Sequence, residues 1–239
     1  MADRLELLPE DWDRALAVVA HPDDMEYGAA SAVARWTEQG KDVRYLLVTR
    51  GEAGISDRPP ADVGPLREVE QRRSAAVVGV DVVEFLDHAD GLVVESLELR
   101  RDLAAAIRRH QPDVLISINY RDTWGGPAWN HADHRAVGRA LIAAARDAAN
   151  PWVFDDLPDP ACEVRFIAFN ASTEPSHAVD VTDHVESGIA SLREHATYLE
   201  GLGEGTAGTD PADFLRTHAE AIGPSIGVAA AVSFEVIHP

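Results

Sequence analysis

The stretch "ALAVVAHPDDMEYG" (residues 15–28) decides how the chain folds and where its chemistry sits. Its first six residues are apolar without a break, which suits a strand buried on both faces of a parallel sheet. The run ends abruptly in His21, Pro22 and the adjacent aspartates Asp23 and Asp24. Two neighbouring carboxylates raise the free energy of each other's charged form unless something cationic sits among them. A helix reads from about Glu26 to Gln39, so both aspartates fall between a strand end and a helix start.

The same alternation continues downstream. Strands read at 42–49, 82–86 and 113–118, and helices at 65–80, from about Glu95 to His110 (stopped by Pro112) and from about His131 to Ala149. Strand and helix in turn predict an α/β, Rossmann-like fold, with a mostly parallel sheet flanked by helices. Beyond residue 150 the pattern changes to strands at 163–170, 176–181 and 229–237 with a helix at 183–200. The expected organisation is one domain over 1–239, with 1–150 as the α/β core and 151–239 completing it. Two segments rich in Gly, Pro and Asp, 51–65 and 201–213, read as surface loops. The first follows a strand end, where α/β proteins place ligand-binding loops. No internal repeat is visible.

Composition narrows the function classes. The chain has 239 residues, 46% hydrophobic, and a formal net charge of -20. So acidic a surface repels phosphate backbones and anionic lipid, which argues against nucleic-acid and membrane partners and for a small-molecule substrate. Cys162 is the single cysteine, so neither an internal disulfide nor a multi-cysteine zinc site can form. No basic stretch followed by an apolar core marks a leader in "MADRLELLPEDW", and the location expected is cytoplasmic.

In an open parallel sheet, ligands bind beyond the carboxyl ends of the strands. A dinucleotide site would need a Gly-rich turn after the first strand, whereas Asp23 and Asp24 repel a pyrophosphate. A divalent cation would reverse that electrostatics. "WNHADHRAVG" (129–138) leaves the fourth strand of this pattern at the same sheet edge, with His131 and His134 three apart. Together the segments offer a His/Asp/His set with open positions, the composition of a catalytic rather than a closed structural zinc site. Blander readings exist for each part alone: an aspartate can cap the following helix, and two histidines can sit on a solvated helix start.

"AHPDDMEYG" with "HADHRAVG" resembles the PIG-L/LmbE-like family of zinc-dependent N-deacetylases. The likeness runs on through "LLVTRGEAG" (46–54), "REVEQRRSAAVVGV" (67–80), "DG" (90–91), "PDVLIS" (112–117) and, more weakly, "LREHATYLEG" (192–201). The resemblance implies His21, Asp24 and His134 as ligands to Zn2+, or to another divalent ion such as Fe2+. It implies Asp23 as general base, His131 as the electrophilic partner, and Asp133 as the residue holding His131. Arg67 and Glu52 would contact substrate, and Glu26 would cap its helix or brace His21. Arg67 and Glu70 also read as an ordinary solvated helix-face pair.

Ala132 replaces the proline of the family's second motif, and "GAASAVA" replaces paired glycines in the first helix. Trp129 stands where some sugar-specific members carry a tyrosine; it would bind substrate by stacking on a sugar or aromatic aglycone, or else fill core. His88, His110, His177, His184, His195, His218 and His238 show no partner pattern. The function implied is removal of an N-acetyl group from an amino sugar or glycoconjugate, with homo-oligomers open. The rivals are an amidase acting on a larger thiol or antibiotic conjugate, and a metal-dependent binding protein without turnover.

Overall fold

In the computed structural model, which describes residues 4–202 and 210–239, the opening stretch forms strand β2 (Arg14–Val19) after a two-residue strand β1 (Glu6–Leu7). Ala15 to Val19 are all buried. Ala15, Ala17 and Val19 join the core on one face of the sheet, and Leu16 and Val18 join the core on the other. A strand period of two, apolar on both sides, is what a central parallel strand requires.

After β2 come α1 (Asp24–Gly28), α2 (Ala30–Glu38), β3 (Asp42–Leu47), α3 (Pro60–Val77), β4 (Val83–Phe85) and α4 (Leu97–His110). Then follow β5 (Val114–Ile118), α5 (Ala132–Ala149), β6 (Phe166–Asn170), β7 (His177–Asp180) and α6 (Val185–Arg193). The chain closes with α7 (Ala196–Gly201), α8 (Pro211–Ile222) and β8 (Ala231–Ile237). The strands form one eight-stranded sheet in the order β1-β7-β8-β6-β5-β2-β3-β4. Strands β2 to β6 run parallel, whereas β8 runs antiparallel to both β6 and β7. The sheet is therefore mostly parallel and flanked by helices, as the alternation predicts.

Strand order locates the site. From β2 the chain moves outward through β3 and β4, then returns to place β5 on the other side of β2. The segments leaving β2 and β5 thus diverge at a topological switch point, the crevice where open α/β sheets bind ligands. The first carries residues 20–24 and the second residues 119–134.

Several boundaries differ from the sequence reading, each for a local reason. The helix expected from Glu26 begins at Asp24 and breaks at Ala29, whose φ of -116° and ψ of 4° are not helical. Helix α3 starts at Pro60 rather than residue 65, because a proline at the first helical position forfeits an N–H that would be unpaired anyway. The 183–200 helix splits around Glu194 and His195 into α6 and α7. Of the loop expected at 201–213, residues 203–209 lie outside the described residues. Residues 211–213 instead open α8, capped by the Asp210 side chain accepting from the Ala212 and Asp213 amides. Among the described residues, no helix is long and apolar enough to cross a membrane.

Candidate functional site

The chain leaves β2 through a tight turn that puts Asp23 at the N-cap of α1 with φ 85°. That left-handed conformation is uncommon outside glycine, though aspartate tolerates it better than most residues. The Asp23 amide donates to Gln71 Oε1 at 3.0 Å, tying the turn to α3. One residue on, Asp24 Oδ2 accepts from the His21 amide at 2.8 Å, closing the turn from the other side. The second segment reaches the same place through Asn130. This buried side chain donates to the carbonyls of Asn119 and Arg121 and accepts from the His131 amide. Asn130 Oδ1 also lies 3.0 Å from His134 Nδ1, which turns Nε2 of that ring toward the first segment.

The result is a convergence of donors. His134 Nε2 lies 3.0 Å from Asp24 Oδ1 and 3.1 Å from His21 Nδ1. All three residues offer ligand atoms within 4.8 Å of one another. Two imidazole nitrogens and a carboxylate aimed at one point form a set that a divalent cation fits. Local charge agrees. The carboxylates of Asp23, Asp24, Asp90 and Asp133 are all largely buried around this point, with the guanidinium of Arg67 beside them. Burial works against the charge on Asp24, but His134 and His21 outweigh it and hold its carboxyl well below the usual range. Burial likewise opposes charging of His21, yet Asp24, Asp133 and Asp90 raise its pKa well above that of an ordinary histidine.

Asp23 has a different environment. Its carboxyl is pushed up to about 6, chiefly by burial, against the attraction of Arg67. Arg67 Nη2 lies 3.1 Å from Asp23 Oδ2 but spends its aligned hydrogen bonds on the carbonyls of Pro22 and Gly51. Its guanidinium rests 4.1 Å from the centre of the Tyr198 ring. Arg67 thus clamps the turn and faces the Asp23 carboxyl, and it also lines the cleft. Neither Arg67 nor Glu70 is solvated: both are buried, and Glu70 accepts from the Thr197 amide.

His131 is the N-cap of α5, and its Nδ1 accepts from the Asp133 amide at 3.2 Å. With Nδ1 used as an acceptor, the neutral ring carries its proton on Nε2. Burial, with His21 and His134 nearby, lowers the pKa of His131 and favours that neutral form. Asp133, which the resemblance places behind His131, turns its carboxylate elsewhere. Its Oδ2 accepts from the Gly91 amide at 2.7 Å and lies 3.3 Å from His21 Nε2, while Oδ1 accepts from the Val93 amide. At the second helical position, its backbone rather than its side chain faces the capping histidine.

The Glu52 carboxylate accepts from the amides of Arg50 and Asp90, so it fastens two loops together while Ala53 and Gly54 line the cleft. Trp129 is 64% exposed and lies outside the cleft lining, with Arg135 over its ring, so it fills no core. Trp124, across the short bridge between Thr123 and Trp129, lines the cleft instead, its ring 5.6 Å from that of His134. Glu26 does not reach His21. It accepts from Gln71 and Ser74 on α3, and its Oε2 lies 3.7 Å from the fully buried His195.

Two residues at the site carry no legible role in the sequence. Tyr198 lines the cleft beside Asp23 and Arg67, and burial and the Asp23 charge push its phenol up. Asp90 Oδ1 lies 3.0 Å from His21 Nε2, the ring nitrogen turned away from Asp24 and His134, while its Oδ2 accepts from the Ala53 amide. A carboxylate on the outer nitrogen of a ligand histidine fixes its tautomer and orientation. The Asp90→Ala variant is therefore expected to bind Zn2+ about 10–100-fold more weakly, read by competition with a chromophoric chelator. Unchanged affinity would remove Asp90 from this role.

The site opens into a cleft of about 910 Å³ whose lining includes His21, Asp23, Asp24, His131 and His134. One cleft thus brings together a residue set that a divalent cation fits, a buried carboxylate beside it and a histidine N–H donor.

The chain is 30% identical over 191 residues to the diacetylchitobiose deacetylase of Thermococcus kodakarensis, covering 77% of this chain and 70% of the relative. It is 28% identical over 241 residues to the 1D-myo-inositol 2-acetamido-2-deoxy-alpha-D-glucopyranoside deacetylase of Mycobacteroides abscessus, covering 81% and 84%. The N,N'-diacetylchitobiose deacetylase structure from Pyrococcus horikoshii superposes with a TM-score of 0.84 at 26% identity, over 96% of this chain and 85% of that one. The GlcNAc-PI de-N-acetylase (PIG-L) family pattern matches residues 16–145, a span that holds both converging segments, and the chain belongs to the PIG-L family.

Proposed function

We propose that the protein is a zinc-dependent hydrolase that removes an N-acetyl group from an amino sugar or a glucosamine-containing glycoconjugate. The observation that carries this reading is the meeting of His21, Asp24 and His134 beside Asp23, a buried carboxylate outside that ligand set. A site that only bound a metal complex would have no use for a spare base. The relatives' activities on acetylated amino sugars support the substrate class.

His21, Asp24 and His134 would hold the cation, with His21 braced by Asp90 and Asp133. When bound, such an ion supplies Lewis acidity to a carbonyl oxygen and to water. Asp23 takes a proton from the attacking water as the new carbon–oxygen bond forms. His131 donates its Nε2 hydrogen to the developing oxyanion. Because His131 accepts at Nδ1 and is neutral, giving up the Nε2 proton would leave an imidazolate. Asp23, protonated in the first step, is therefore the group that returns the proton to the amine as the carbon–nitrogen bond breaks. Amide and water become acetic acid and amine, which exchange a proton to end as acetate and ammonium, and Asp23 ends as it began.

Asp23 must be ionised to act as base, so activity grows as pH rises through its pKa and then levels. With that pKa at about 6, and a bound cation drawing it lower, kcat/KM is expected to fall below about pH 6 and to be flat from there to neutrality. A profile still rising through neutral pH would show that another group limits the reaction. The reading itself is tested by screening N-acetylated amino sugars and glycoconjugates for equal release of free amine and acetate. An amine without acetate would favour the larger-conjugate amidase, and no amine from any substrate would favour the binding protein.

A further inference from the structure

We propose that Trp124 selects a ring-closed amino sugar, its indole face stacking on the pyranose that bears the acetamide. The proposal rests on the deacetylase reading and gives that same site a residue that tells a cyclic substrate from an open-chain amide.

After β5 the chain forms a short hairpin before it reaches His131. The Trp124 amide donates to the Ala128 carbonyl and the Asn130 amide to the Asp122 carbonyl, each at 2.8 Å, with Thr123 bridged to Trp129 between them. Gly125 and Gly126 turn the tip with φ of 108° and 57°, conformations that glycine reaches without strain. The base is tied to the core. Asn119 Nδ2 donates to the Thr123 carbonyl at 2.9 Å, and the Arg121 guanidinium donates to the buried Glu235 carboxylate on β8. The hairpin is thus a fixed platform.

Opposed residues of an antiparallel bridge share a face, and the next residue along points to the other. Thr123 and Trp129 therefore leave Trp124 on the opposite face. Trp129 meets Arg135 outside the cleft, while Trp124 lines the cleft with His134 and His131. The rings of Trp124 and His134 meet edge to face, 5.6 Å apart at 82°. Such a contact occupies at most one face of the indole, and Trp124 remains 39% exposed. A tryptophan held open at a cleft wall regains apolar burial when a ligand covers it.

Position decides what the indole meets. It borders the cation end, so its partner is attached directly to the reacting amide, either the acyl methyl or the carbon skeleton on nitrogen. A methyl covers only a small part of a side chain that buries roughly 150–250 Å². A pyranose presents a flat face of C–H bonds, made slightly positive by the neighbouring oxygens, to the electron-rich face of the indole. An open chain with the same hydroxyls has no such face until its rotors are frozen, which costs entropy. The sugar ring is therefore the partner.

The test compares kcat/KM for N-acetylglucosamine and N-acetylglucosaminitol, which carry the same acetamide with and without the ring. Wild type is measured beside Trp124→Ala, Trp124→Leu and Trp124→Phe. Wild type is expected to prefer the ring by about 10-fold, the upper worth of one aromatic stack. Both Trp124→Ala and Trp124→Leu are expected to bring that ratio close to one, mainly by raising KM for the ring compound. Trp124→Phe should keep most of it. Chelator competition should give wild-type zinc affinity in all three, whereas removing a residue that merely steadied His134 would weaken zinc. Melting curves establish folding, and Trp124→Leu decides alone if Trp124→Ala does not fold. A wild-type ratio near one, a ratio preserved in the folded Ala or Leu variant, or equal losses on both compounds with weakened zinc overturns this role while leaving the deacetylase reading standing. Cleavage of neither compound also overturns it, and the deacetylase reading falls too if no glycoconjugate in the wider screen releases acetate.

Discussion

The Asp23→Asn variant is expected to lose about 10²–10⁴-fold in kcat while remaining folded and able to bind metal. Asparagine keeps the shape of the side chain and suits the left-handed φ of 85° at this position, so the turn survives. What disappears is the carboxylate proposed to accept the water's proton and later return it. Stability should move the opposite way from activity. The folded pKa of Asp23 lies at about 6 against an ordinary 3.8, a net effect that already includes the attraction of Arg67. The native state therefore favours the protonated form, and the favourable contribution at low pH is lost as pH rises through about 6. At neutral pH the ionised side chain destabilises the metal-free protein by an amount of order 1–3 kcal/mol, and asparagine removes that penalty. Urea unfolding in the presence of chelator should show the gain at pH 7 and its disappearance below about pH 4. A variant that keeps wild-type turnover would show that Asp23 is not the base.

The second large effect is expected at His134. Its Nε2 faces both Asp24 and His21, so His134→Ala removes one donor and leaves Asp24 without its 3.0 Å partner. Zinc affinity should fall by more than the ~10–100-fold that loss of a supporting hydrogen bond costs. Turnover should fall with it and recover in part with excess zinc. Chelator competition measures the first and titration of activity against free zinc the second. Wild-type affinity in this variant would mean that the cation sits elsewhere. The second convergence of His21, His131 and Asp133 would then be the place to look.

How far the sequence could be read depended on the range of each interaction. The central strands were legible because burial on both faces leaves an unbroken apolar run, as in Ala15–Val19. Both candidate segments were legible because residues 21–24 closely follow β2 and residues 131–134 open the helix after β5, each with residue types that have little structural use there. Helix α8 was not, because its start is written in Asp210 and Pro211, residues that also mark loops. Asp90 was hidden for another reason. It reaches His21 through a loop after β4, a contact set by strand order and not by any local pattern. Tyr198 depends in the same way on α7 packing against α3. Asp133 and Trp129 were harder still, since at a helix start and a short bridge one residue of offset decides which way a side chain points.

The central claim is that one cation, held by His21, Asp24 and His134, makes this cleft a deacetylase. Titrating zinc into chelator-treated protein while following acetate release from an N-acetylated amino sugar tests it most directly. Activity absent in the stripped protein and saturating at one zinc per chain is the result expected. Turnover that persists without metal, or zinc that binds tightly without restoring acetate release, would contradict it.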